Sequence, residues 1–583
     1  MKRQHLISCI LAGAFACTAL STAANESKES LMKKRVLSDL DSIRNIFEVK
    51  YAPLRWKYEW ANWDLDREVE LTKAKIIQLN SPSLKKCQVI LKDFFNTAKD
   101  YHVGIDYHST EYASLPFLVK GAEERYFVCY VDRDQVTYNQ FPFENGDEIL
   151  TFDGLPIHEV IQDLRIQEFG LNHLETDQAL AEFALTFRDG ARGQYVPSGN
   201  IEIEGRKKYT NRVIKTTLKW EYNPERVSDF AKLGNIEASQ VAAQEWIRDW
   251  KSALKKSQFF DRFMISHVWN KSHVGGSLKM NPHDLGARKS FIPRLGRVVW
   301  KPWFENIFDV YIFQTSSGKN IGYIRIPHYI GDEEDVEAFG KMMNYFQYRT
   351  DALVIDQINN PGGLVFYLYA LASTLIEERC STPQHHIALT QDDVHAALFL
   401  LPHLTNIYDD QSAREALGET IFGYPIDYEY ATLVRDYCNF IIDQWNQGKL
   451  YSNTTHLFGV NEIKPHPYFR YNKPILLLVN SLDFSGGDFF PAILKDNQRV
   501  TILGTRTAGA GGCVTGAYFP NHSGINMFQL TETLAERTNN QPIENLGIEP
   551  DIHYQVSATD LQENYREYVD KIVEVVEKLV AAN

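Results

Sequence analysis

Ser485 stands in NSLDFSGGDFFPAILKDN (480–497), between the apolar run PILLLV and a stretch with helical apolar spacing. Two glycines follow it directly. A serine at a strand-to-helix turn places its hydroxyl beside a helix N-terminus, where backbone N–H groups lack partners and the dipole favours negative charge. A nucleophile whose attack creates a tetrahedral oxyanion needs those features. The same placement suits a plain helix N-cap, for which serine is also favoured. Two further glycine-rich turns end apolar runs: VIDQINNPGG, with Gly362 and Gly363, and GTRTAGAGG (504–512). Three such turns at strand ends read as one site rim. Gly486 and one of Gly362 or Gly363 could then donate N–H groups to an oxyanion. A serine nucleophile also needs a base, and histidine, with a pKa near neutrality, is the usual one. DYHVGIDYHS supplies His102 and His108; an even separation puts both on one face of a strand, so the residues alone do not choose.

The elements that must position these groups follow from texture. Residues 25–117 are helical and charged up to about Asp100, then turn into a strand. Residues 118–227 read as short β-runs around NGDEILTFDGLPIHEVIQDL, where an acidic turn at Gly146–Asp147, a strand and a helix from about Ile157 resemble a PDZ-type domain, a peptide-binding module. Residues 228–289 combine a helical stretch with a Gly/Ser/Pro-rich one, and read as a linker or inhibitory segment. Residues 290–583 have α/β texture, with NIGYIRIPHYI, DALVIDQINN, PILLLVN and RVTILGT as buried strands. A helical insertion spans about 392–449. A final helix starts near Thr559, with Gln562 completing a capping box and Tyr565, Tyr568, Val569, Ile572, Val573, Val576 and Leu579 on one stripe.

At 583 residues the chain is long enough for several domains. A net charge of −14 and the lack of a basic stripe argue against nucleic acid as a partner. Lys2 and Arg3, an apolar run from Leu6 to Leu20 and small residues to Ala24 read as a signal peptide over 1–24, hence an exported protein with no membrane span after its removal. The seven cysteines include no CxxC, and the five beyond the signal read as buried free thiols. His385, His386, His403, His456 and His466 lack metal-ligand spacing.

GYIRI, IDQINNPGG, NSLDFSGGDFFPAILKDN and GTRTAGAGG, in this order and with DYHVG and the PDZ-like unit upstream, resemble the tail-specific and tricorn-type serine peptidases. The likeness is nearest to a chlamydial branch of secreted proteases, and there covers nearly the whole mature chain, including PIENLGIEP. It implies a multidomain α/β fold: a helical N-terminal region, a PDZ-like module and a ClpP/crotonase-like catalytic core. It also implies Ser485 as nucleophile, with Gly486 and Gly362 or Gly363 as oxyanion donors. Asp488 falls where these peptidases usually carry Glu. Many of them use a Ser–Lys dyad, but Ala510 stands at the lysine position, so another base is required. The chlamydial and tricorn-like pattern matches His102 as base and Glu544 as the acid that orients it, ahead of Glu549, Asp100 and Asp106. Ile358 replaces an arginine common in the family, which leaves a degenerate peptide-binding scaffold as the non-enzymatic alternative. The expected activity is a secreted serine endopeptidase acting on proteins or peptides, without metal or organic cofactor. The resemblance implies a self-cleaving zymogen and a homodimer. A periplasmic processing peptidase is the nearer alternative.

Overall fold

The computed structural model describes residues 28–227, 281–303 and 306–582. The signal-peptide reading (1–24) lies outside them, as does most of the 228–289 segment. The catalytic core is built on a seven-stranded sheet whose spatial order follows the chain order. Its strands are Arg297–Trp300, Asp309–Gln314, Asn320–Arg325, Ala352–Asp356, Ile475–Val479, Thr501–Gly504 and Ile552–His553. The first three pair antiparallel and the rest parallel. Ala352–Asp356 and Ile475–Val479 are buried at every position, as unbroken apolar runs require when both faces of a parallel sheet are covered.

One face carries Val365–Ser373, buried along its whole length, together with Glu333–Gln347 and Gly486–Asp496. The other is covered by the C-terminal helix, through Tyr568, Ile572, Val575 and Val576. Residues alternate between the two clusters along the strands: Leu353, Ile355 and Leu477 face one way, Val354, Leu476 and Leu478 the other. The parallel strands all end at one edge. The turns after Asp356, Val479 and Gly504 therefore gather there. The helical insertion comprises Gln391–Leu404, Asp410–Leu417 and Tyr428–Asn446.

The PDZ-like region folds as Phe117–Ala122, Arg125–Val131, Glu148–Phe152, Asn200–Arg206 and Val213–Lys219 in one sheet, with helices Ile157–Glu168 and Leu174–Thr186. Its Gly146–Asp147 turn is held by the Asp147 carboxylate, which accepts from the Glu144 N–H at 2.7 Å and the Lys208 N–H at 2.9 Å. The N-terminal helices Lys28–Lys50, Leu54–Ala61, Leu65–Gln78 and Leu84–Thr97 do not form a core alone. Phe47, Phe94 and Phe95 pack with Ile525, Phe528 and Leu530. Gly104–Tyr107 pairs with Ile525–Thr531, which ties this region to the far end of the chain.

The final helix departs from the expected course. The capping box is Ser557 with Asp560, not Thr559 with Gln562, and the helix ends after one turn. Asn564 and Tyr565 take positive φ, and a second helix, Arg566–Ala582, follows. The Asp560 carboxylate receives the Tyr568 N–H at 2.9 Å and the Tyr554 hydroxyl at 2.6 Å, so a buried acid fixes the break. Among the described residues no helix is long and apolar enough to cross a membrane. Cys87, Cys129, Cys380, Cys438 and Cys513 are buried and form no disulfide.

Ile572 is wholly buried between the C-terminal helix and the sheet. Ile572→Ala is expected to cost about 2–5 kcal/mol, read as a lower denaturant midpoint at unchanged slope. A variant that unfolds at the wild-type midpoint would contradict this packing.

Candidate active site

Ser485 lies at the N-cap of Gly486–Asp496 with φ 59° and ψ −111°. A non-glycine residue held there stores strain of about 1–3 kcal/mol. Its Oγ is buried and caps nothing. The Asp488 N–H bonds instead to the Ser485 carbonyl, at 2.7 Å. The plain-cap reading therefore fails.

Two buried carboxylates hold this turn. Asp488 accepts the N–H of Ser485 at 2.8 Å, of Gly509 at 2.9 Å and of Ala510 at 3.0 Å, and the Thr507 hydroxyl. Ala510 thus stays in the site through its backbone. Asp483 accepts from the N–H groups of Asn360 and Asn480 and from Gln357. Burial pushes Asp488 up to about 6 and Asp483 well above the carboxylate range, in each case against their hydrogen bonds. The Ile358 side chain, at the family's arginine position, lies in the apolar core.

The PGG turn abuts Ser485. A Cβ on Gly362 (φ +94°) would meet Ser485 Cβ at 2.8 Å and the Phe484 carbonyl oxygen at 2.8 Å, so only glycine fits. The Gly362 N–H is committed to Asn360 Oδ1 at 2.8 Å. Of the two candidates, Gly363 is left with an uncommitted N–H, its nitrogen 3.2 Å from where a Gly486 Cβ would stand. Gly486, the first helical residue, has an uncommitted N–H as well.

His102 and His108 are separated by the structure, not aligned by it. His102 sits in the turn before Gly104–Tyr107 and is 3% exposed, whereas His108 lies beyond the strand in solvent. The shared-face expectation fails because neither residue belongs to the strand. A ring nitrogen of His102 and carboxylate oxygens of Asp100 and Glu544 lie within 4.8 Å of one another. Glu549 is exposed. Neither ring nitrogen of His102 has a hydrogen-bond partner, while its backbone N–H bonds Asp100. Burial, aided by Lys57 and opposed by Asp100, pushes His102 down to about 4. Glu544 is pushed up to about 8 by burial and by Asp100, against the pull of Lys57 and of the Gly511 N–H at 3.0 Å.

Ser485 and His102 approach through their neighbours. The rings of Tyr101 and Phe484 meet edge-on with centroids 5.6 Å apart. Loop 507–511 binds Asp488 at one end and Glu544 at the other. A Cβ on Gly511 would meet the Glu544 nitrogen at 2.4 Å, so this loop passes only as glycine. A cavity of roughly 90 Å³ opens beside His102, lined by Phe95, Val103, Phe169 and Gln194 among others.

Asp100, His102 and Glu544 are the one group among the described residues whose atoms converge as metal ligands could. A cation is already among them. Lys57, fully buried, places Nζ 2.5 Å from Glu544 and 3.9 Å from Asp100. The sequence reading passed over Lys57 as one charge in a charged helix. A signal was present: in Leu54–Ala61 it lies four residues from both Pro53 and Ala61, on the inward stripe.

The sequence model of peptidase family S41 matches residues 320–554, and that of the PDZ domain residues 111–227. A Chlamydia muridarum protein is 36% identical over 95% of this chain and 94% of its own length. A Chlamydia trachomatis protein is likewise 36% identical, over 95% and 94%. Among solved structures, mature CPAF is 33% identical, with 95% of this chain and 99% of that chain covered at a TM-score of 0.81. Mature CPAF complexed with lactacystin is 32% identical, with 95% and 100% covered at 0.81.

Asp488→Asn replaces one acceptor oxygen by a donor that faces N–H groups. It is expected to cost about 1–3 kcal/mol and to lower the thermal midpoint. An unchanged melting curve would show that the four contacts do not hold the turn.

Proposed function

This chain belongs to peptidase family S41 and is a serine peptidase, and on that premise we propose that its chemistry runs through Ser485, His102 and Glu544. The observation that supports this most is the strained Ser485 turn with two uncommitted N–H groups beside it, Gly486 and Gly363. In this reading Ser485 Oγ attacks the scissile carbonyl of a protein or peptide. His102, held neutral by burial, takes the hydroxyl proton and passes it to the leaving amine. The oxyanion forms against Gly486 and Gly363. Water then cleaves the acyl-enzyme by the same path reversed. Glu544 steadies the imidazolium across the gap of up to 4.8 Å.

The finer reading is an exported enzyme made in latent form and acting as a homodimer. The basic-then-apolar start of the chain supports export. The complete burial of Ser485 and near-complete burial of His102 support latency, since a substrate needs both to be uncovered. The segment that would be removed is the one around 228–289.

Ser485→Ala is expected to abolish both peptide hydrolysis and labelling by a fluorophosphonate probe while leaving the melting curve in place. Wild-type labelling should be competed by lactacystin, the compound bound in the mature CPAF complex. Turnover persisting in a probe-silent Ser485→Ala protein would sink the assignment, and a folded but probe-silent wild type would favour the scaffold reading. Glu544 must be ionised to steady His102, and its pKa is raised to about 8, so kcat/KM should climb with pH toward that value. Glu544→Gln is expected to lower kcat by about 10- to 100-fold at little change in KM, and to remove this rise. A variant that keeps the rise would assign it to another group.

A further inference from the structure

Lys57 is a lysine with no solvent exposure whose three ammonium hydrogens have three acceptors. These are Glu544 Oε1 at 2.5 Å, Asn545 Oδ1 at 2.7 Å and the Lys99 carbonyl at 2.8 Å. They come from two separate stretches, the turn ahead of His102 and the Glu544–Asn545 turn. Trp56, one residue earlier on the same helix, donates its indole N–H to Asn545 Oδ1 at 3.1 Å. Asn545 Nδ2 in turn bonds Asn172 Oδ1 at 3.2 Å and the Lys99 carbonyl at 2.6 Å. The helix Leu54–Ala61 thus grips the acid and the segment that carries the histidine at once.

The charges around this lysine set what would follow without it. Asp100 is buried and takes the Tyr51 hydroxyl at 2.9 Å, the Thr531 hydroxyl at 2.8 Å and the His102 N–H at 2.8 Å. Glu544 is buried and takes the Gly511 N–H. On the outer side, His173 and Arg506 meet at 2.9 Å, and Arg506 holds the carbonyls of Asn545 and Leu546. Arg506 is turned to those carbonyls, so Lys57 is the cation that answers the two carboxylates. Two uncompensated carboxylates in a dry site would hold a proton more tightly, Glu544 first, and would also favour protonation of His102 beside them.

We propose that Lys57 is a positioning residue of the peptidase: its ammonium fixes Glu544 against the Lys99–Asp100 turn and supplies the positive charge that the carboxylate pair would otherwise place on His102. The inference rests on the assignment of Ser485, His102 and Glu544. Lys57 keeps the base unprotonated until Ser485 gives up its proton, and keeps the acid in reach. The burial that pushes His102 down is reinforced by Lys57, and the charge of Lys57 pulls Glu544 down. Its loss therefore moves both groups the same way, toward holding their protons at higher pH.

The experiment compares the full-length wild type with Lys57→Met, Glu544→Gln and the double variant, using a fluorogenic peptide. Fluorophosphonate labelling of Ser485 and thermal melts are followed alongside. Lys57→Met is expected to lower kcat by about 10- to 100-fold with KM little changed. It should also move the rising limb of kcat/KM by about one pH unit to the alkaline side. In the Glu544→Gln background it should add less than about twofold, because the two residues act through one contact. Lys57→Arg, which keeps the charge, should retain the wild-type limb if it folds. A full additional loss in the Glu544→Gln background, or an unmoved limb, would overturn the proposal and leave Lys57 a structural residue. If Lys57→Met does not fold, Lys57→Gln carries the same limb measurement. A wild type without Ser485-dependent turnover would instead refute the assignment on which the proposal rests.

Discussion

A carboxylate out of water must be met by donors or by a cation, and the catalytic end of this molecule is organised by that demand. Asp483 and Asp488 have no cation, so backbone N–H groups converge on them. The four donors on Asp488 come from Ser485 itself and from loop 507–510. One carboxylate therefore sets both the strain at Ser485 and the path of the loop that continues to Glu544. Asp100 and Glu544 are the second solution: hydroxyls and N–H groups meet part of their demand and Lys57 the rest.

The PDZ-like region is drawn into the same network. Thr176, in the first turn of Leu174–Thr186, donates its hydroxyl to the Ser481 carbonyl at 2.9 Å, four residues before Ser485. Asp177 on that helix accepts the Tyr101 hydroxyl at 2.8 Å, one residue before His102. A single helix end thus touches the turns that carry Ser485 and His102. A small cavity lies between this helix, Leu118–Lys120 of the edge strand and Leu482 of the Ser485 turn. A displacement of the helix would be felt at Ser481 and Tyr101 together.

Much of this was legible in the sequence, for a physical reason in each case. The core strands announced themselves as unbroken apolar runs because a doubly covered parallel sheet leaves no polar face. The turns at Pro361–Gly363, Ser485–Gly487 and Gly509–Gly512 were visible because close backbone approach tolerates only glycine there. His102 was harder to read. Its neighbourhood looked like a strand, and only the fold shows that the chain is still turning at that point while His108 has left the sheet. Lys57 was hidden by a sound generalisation, that lysines on short charged helices face water. Its exception depends on acceptors 42 and 487 residues away, which no local pattern carries. The broken C-terminal helix went unread for the same reason: the Asp560 carboxylate that stops it also reaches back to Tyr554.

That span of 487 residues has a bearing on the order of synthesis. Lys57 and His102 leave the ribosome early, Ser485 late, and Glu544 among the last residues of all. The N-terminal helices cannot close their core until Ile525–Thr531 arrives to pair with Gly104–Tyr107. Chains are extended at about 5–20 residues per second, so a nascent chain carries His102 for tens of seconds before it has Ser485 or Glu544. A hydrolase assembled in this way is inert for as long as it is incomplete. A truncated product lacking either end holds fragments of a site and no site, and translation itself acts as the first safeguard on its activity.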